Sequence, residues 1–249
     1  MRRIFPFVFL GTFFLSVAAL AQNHNGALTI DLAEKSVNIT AGFTGARLAL
    51  FGVKEDDGDI AIVIKGPERH MVVRRKDQLM GVWMNRETVR FRNVPVYYDL
   101  ALSKQTSRLS SRETLLQYGI GLDALSFEPV GRESPEDIGR FREALIRNKQ
   151  IQGYFSLEPR NIIFLNDHFF RANFYMPANV PTGDYSIMTY LFQDGVVHSV
   201  NETQLRVAQV GFNARLYRFA HLHAFAYGLV AIFLAMLAGG SAWMFLRRD

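Results

Sequence analysis

From Phe225 to Leu246 the chain reads FAYGLVAIFLAMLAGGSAWMFL, a run with no charged side chain. At about 1.5 Å per residue such a run makes a helix of roughly 33 Å, enough to cross a bilayer's hydrocarbon core. Arg247, Arg248 and Asp249 follow at once. The segment predicts a transmembrane helix over 225–246 with a cytoplasmic tail at 247–249. Along it, Ala224, Gly228, Ala231, Ala235, Ala238 and Ala242 recur at the 4-3-4-3-4 spacing of a left-handed helix contact. Small side chains let two backbones approach closely enough for dispersion to drive association in lipid. These six are the candidate helix-contact positions, while Leu229, Ile232, Phe233, Leu234 and Leu237 suit lipid.

The other end of the chain sets the direction of crossing. Arg2 and Arg3, the apolar run Ile4–Leu15 and Ala19-Leu20-Ala21 read as a signal peptide over 1–21, cleaved after Ala21. Arg215 and Arg218 flank the outer end of the span and Arg247 and Arg248 the inner one, so charge alone does not orient it. The signal places the intervening chain outside. There is no cysteine, so disulfides and thiol chemistry are excluded. An exported, disulfide-free domain fits a bacterial periplasm, which predicts a single-pass inner-membrane protein with a periplasmic N-terminal domain. Setting aside Arg2, Arg3 and the tail leaves 24 basic against 22 acidic residues. That balance argues against a nucleic-acid partner.

Between these ends the pattern is mainly β. Leu28, Ile30 and Leu32 alternate, Val37 and Ile39 continue, and Arg47–Val53 is a dense apolar run closed by the acidic turn 55–59. Ile60–Ile64 reads as a central strand, and His70–Lys76, Val82–Asn85 and Val89–Arg92 as three further strands. Short strands at this spacing predict a first antiparallel, immunoglobulin-like sandwich unit over 22–103.

Residues 104–153 read as a helical connector. The box Ser110–Glu113 opens one helix; Ser134-Pro135-Glu136-Asp137 opens a second, with Ile138, Phe141 and Leu145 on one face. Glu136–Arg140 and Glu143–Arg147 are spaced for i,i+4 pairing on the other face, and Gly153 lies past the end. A second β unit over 154–210 follows, with Ala172, Phe174 and Met176 alternating and Asp194-Gly195 as a hairpin turn. A membrane-proximal helix over 211–224, capped by Asn213, is expected to run continuously into the span. The fold class is thus one or two sandwich units, a helical insertion and a C-terminal transmembrane helix.

Candidate chemistry is sparse. Arg69, His70, Arg74, Arg75, Lys76, Arg86, Arg90 and Arg92 face only Asp77 and Glu87 as local acids. On strands, Arg74 and Lys76 share a face, as do Arg90 and Arg92. If the two strands are neighbours, these four converge into a patch able to contact a small oxyanion or anionic lipid headgroups; otherwise they are a solvated face. His221 and His223, two apart on a helix, point away from each other and read as interfacial rather than metal-binding. His70, Met71, Met80 and Met84 read as core and strand residues. Neither Ser107–Ser111 nor Asp167-His168 carries a base and an orienting group, so no metal, cofactor or catalytic residue is assigned.

The blocks Val72–Lys76 and Gly81–Asn85, then Phe141–Leu145, Phe170–Ala172, Pro181–Tyr185 and Tyr190–Gly195, occur in an order that resembles the alphaproteobacterial putative transmembrane protein family. That family has an N-terminal signal and one C-terminal span, and no established activity. Its genes often lie beside those of sulfite-exporter-type permeases, so the resemblance implies such a permease as a partner. The expected function is a non-enzymatic accessory subunit of an inner-membrane permease, held in the lipid bilayer. The alternatives are an envelope scaffold that self-associates and, behind it, a tethered hydrolase.

Overall fold

The computed structural model describes residues 27–79 and 81–246. The expected signal peptide at 1–21 and the expected tail at 247–249 lie outside these residues. In chain order the first strands are β1 (Leu28–Leu32), β2 (Ser36–Ile39), β3 (Gly45–Lys54) and β4 (Asp59–Lys65). They are followed by β5 (Glu68–Leu79), β6 (Val82–Pro95) and β7 (Tyr98–Leu102). Helices α1 (Thr106–Leu109) and α2 (Arg112–Gln117), strand β8 (Glu128–Pro129) and helix α3 (Pro135–Ile151) come next. The last strands are β9 (Arg160–Asn161), β10 (Ile163–Phe164), β11 (Phe169–Pro177), β12 (Gly183–Gln193) and β13 (Val196–Gln209), before α4 (Phe212–Leu222) and α5 (Ala224–Leu246).

The strands form three sheets, ordered β1-β3-β11-β10, β2-β13-β12-β4-β7-β9 and β5-β6-β8. Both larger sheets mix strands from before and after the helical connector: β3 pairs with β11 and β4 with β12. The two β stretches separated along the chain therefore share sheets and form one body.

The six-stranded sheet is buried on both faces at β4 and β7, and β4 shows why. Its residues Ile60 to Ile64 are all apolar and fully buried. Because side chains alternate across a strand, Ile60, Ile62 and Ile64 join the core facing the four-stranded sheet. Ala61 and Val63 point into a second core, shared with Phe91, Leu115, Phe127, Phe141 and Leu145. A strand with an apolar layer on each side must be apolar throughout, which is the reason this run does not alternate with polar residues.

Several local expectations are met. Ser134 caps α3 by accepting from the Asp137 amide at 3.1 Å, and Pro135 occupies the first turn. Gly153, at φ +74°, takes the left-handed turn past the end of α3. Asp194 and Gly195, at φ +49° and +80°, make the tight turn joining β12 to β13.

Others are corrected. The acidic turn at 55–59 is not a hairpin: β3 and β4 lie in different sheets, so it crosses from one sheet to the other. The three short strands expected between His70 and Arg92 are two long ones, because β6 absorbs an extra residue at each of two bulges opposite β5. Arg140 bonds Asp137 and lies 3.9 Å from Glu87, rather than pairing with Glu136. The cap of α2 is Ser111, while Ser110 donates to the Gly195 carbonyl. The helix entering the span is not continuous: α4 starts after Gly211 (φ +109°), not at an Asn213 cap, and ends at His223 (φ −127°, ψ 51°) before α5 begins.

Candidate functional site

The register of β5 against β6 decides the fate of the cationic patch. Val72 lies opposite Arg90, Arg74 opposite Thr88 and Lys76 opposite Asn85, so the two strands are direct neighbours. Phe91 and Val89 turn inward to the second core. Alternation then puts Arg74, Lys76, Arg90 and Arg92 on the outward face, where all four are exposed. Arg74 and Arg90 are diagonal neighbours there, at a separation long side chains span. None of the four has an ion-pair partner among the described residues, although Glu128 stands opposite Arg92.

Two other cations of the basic run are engaged locally. Arg86 holds Asp77 at 2.8 Å, and Arg75 lies 3.7 Å from Glu87. The Arg86 hydrogen bond is the main cause holding the Asp77 carboxyl below its ordinary range. Past the stretch packed on the body the β5–β6 hairpin forms an arm, with Val82 and Met84 exposed near its far end.

Ala224, Gly228, Ala231, Ala235, Ala238 and Ala242 all fall on α5. At about 100° per residue they occupy an arc of about 80°, with Phe233 on the opposite side. No part of the span Ala224–Trp243 is buried against the rest of the chain. His221 is turned back on its own helix, its Nδ1 2.9 Å from the Tyr217 carbonyl oxygen. Among the described residues no three His, Asp or Glu side chains cluster tightly enough to hold a metal.

Two polar clusters escape sequence reasoning because their members are far apart in the chain. Asp99, 1% exposed, accepts from Arg160 Nε at 2.7 Å and from the Tyr97 hydroxyl at 3.1 Å. This ties the short edge strand β9 to β7 beside a cleft of about 260 Å³. Burial, then the neighbouring Asp99 charge, pushes the Tyr97 phenol well above its ordinary pKa. Lys149, at the end of α3, is 8% exposed and has no carboxylate partner among the described residues. A cleft of about 440 Å³ lies between α2 and residues 156–159, with Tyr98, Leu115, Ile120 and Leu157 on its walls and Arg112 and Glu158 among its polar lining.

No curated protein of similar sequence was found. A family model described as "Putative transmembrane protein" (Alph_Pro_TM) matches residues 27–248, which takes in the whole β body and the apolar helix. The chain therefore belongs to that transmembrane protein family.

Proposed function

We propose that this protein is a non-enzymatic, membrane-anchored periplasmic module that serves as an accessory subunit of an inner-membrane permease. The observation that carries the reading is α5: an apolar helix with no part buried against the rest of the chain, six of whose small residues share one face. Exposed apolar surface of this length is stable only in lipid, and a small-residue face lets a second helix approach. The signal-like residues 1–21 support an outer location for the body, and the resemblance to a family encoded beside sulfite-exporter-type permeases supports the choice of partner.

The body supports an interaction role. The orders β1-β3-β11-β10 and β13-β12-β4 follow the ABED and GFC sheets of immunoglobulin sandwiches. Tyr185, near the start of β12, donates to the Pro181 carbonyl at 2.6 Å, as the tyrosine corner of such domains does. We read it as an immunoglobulin-like sandwich that presents the outward face of Arg74, Lys76, Arg90 and Arg92 to an anionic solute.

Affinity isolation of the full chain in mild detergent tests the partnership. A permease should co-purify, and Ala231→Leu with Ala238→Leu should release it while leaving the protein in the membrane. Recovery of only further copies of this chain would replace the reading with self-association. Recovery of the chain alone would overturn both.

A further inference from the structure

Phe141, Leu145 and Lys149 follow one another at four-residue intervals on the buried face of α3. A lysine thus stands where the stripe calls for an apolar side chain. Its Nζ sits 5.0 Å from the centre of the Tyr154 ring. Tyr154 in turn donates from its hydroxyl to the Asn179 carbonyl at 3.1 Å. Arg69, at the root of the hairpin arm, reaches the same loop, its Nη2 3.5 Å from the Thr182 carbonyl oxygen. The loop packs closely against the root, since a Cβ on Gly183 would come within 2.6 Å of the Pro67 ring.

Two cations are therefore held around one loop, and among the described residues neither has an ion-pair partner. The adjacent acid, Glu68, acts instead on Lys65. Burial first and the Arg69 charge second lower the Lys149 pKa, and no cause opposes them. The negative end of the α3 dipole accounts for one cation in its last turn, not for a second one beside it.

We propose that Lys149 and Arg69 form a binding site for a tetrahedral oxyanion, a phosphate or sulfate group, at the root of the arm. The guanidinium supplies a planar fork for two oxygens and the ammonium a charge-assisted bond to a third, and the bound charge relieves their mutual repulsion. The site's position admits two sources. Lys65 lies opposite Ser186 and Gly183 opposite Val207, so the arm springs from the end of the sheet at which β13 leaves for α4 and α5. A free oxyanion can enter there, and so can the phosphate of a lipid headgroup. This inference is independent of the permease partnership, and its test uses the isolated protein.

The full chain is taken in maltoside micelles with sodium sulfate or with sodium chloride at equal ionic strength, and in phosphatidylglycerol nanodiscs without sulfate. An amine-acylating reagent is applied and modification of Lys149 is read by peptide mass spectrometry, with exposed Lys35 as the internal reference. Saturating anion should slow acylation of Lys149 about tenfold, as mass action requires for a nearly filled site. Arg69→Gln, which removes only one long hydrogen bond, should abolish the protection. Protection by sulfate in micelles identifies a free oxyanion, and protection in nanodiscs alone identifies lipid phosphate. No protection in either setting, or protection that survives Arg69→Gln, overturns the site.

Discussion

Ile60–Ile64 and Ala224–Trp243 are two uncharged, largely apolar stretches, and they meet opposite surroundings. The first is walled in by protein on both faces, with every residue fully buried. The second is buried against nothing. The same chemistry is thus spent in two solvents: one stretch organises a core, and the other depends on lipid to remove its surface from water. Length separates them, since five residues suit a buried strand and over twenty suit a spanning helix.

The largest effect expected from this contrast comes from a charge placed in each stretch. Ile62→Asp puts a carboxylate between two apolar layers with no partner and should leave the body unfolded, seen as loss of the β-sheet circular dichroism signal. Ile232→Asp should leave the urea midpoint of the body unchanged and weaken only its resistance to carbonate extraction. If Ile232→Asp destabilised the body as well, the two stretches would not be independent.

A smaller effect belongs to the Arg160–Asp99 ion pair at the edge of the six-stranded sheet. Arg160→Met strands Asp99 in a buried site and should cost about 3–5 kcal/mol in urea unfolding, as breaking one side of a buried pair does. Arg160→Lys, which keeps the charge but loses the Nε geometry, should cost less. Equal costs would mean that the fork is irrelevant.

The smallest effect is a pH dependence that sharpens the contrast further. Burial, first of all, raises the phenols of Tyr97, Tyr98 and Tyr185, and pushes Tyr190 up to about 12. In the unfolded chain these groups ionise near pH 10. Between about pH 10 and 12 the native body therefore holds more protons than the unfolded one, and its stability should fall as pH rises. Urea midpoints measured across that window should drop for the wild type and less steeply for Tyr190→Phe. The exposed α5 carries none of these buried phenols, so its helical signal should persist in micelles.

Much of the fold was legible because it is local. The alternation of Ala172, Phe174 and Met176, the Asp194-Gly195 turn and the Ser134 cap each depend on neighbours within a few residues, and each forms as read. Pairings across the helical connector were not legible: nothing near Leu50 says that it will lie opposite Ala172. The hairpin arm was misread as three strands because two bulges shift the inward face partway along β6. For the outward cations, strand parity sorted Arg74 with Lys76 and Arg90 with Arg92, and the register supplied the adjacency. Lys149 and Arg69 stand 80 positions apart, and only the folded loop at 179–182 brings them together. The interruption at His223 leaves no signal in hydropathy, which sees apolar residues on both sides of it.

The parallel pairing of β13 with β2, Arg206 to Gln209 against Ser36 to Ile39, has a mechanical consequence. β13 is the strand through which any pull arriving from α5 enters the body, and it lies between β2 and β12. Such a load runs along the strand axis, so the hydrogen bonds on either side are sheared together instead of being unzipped one by one. The body is therefore clamped to its tether at the point where tension on α5 would be felt first.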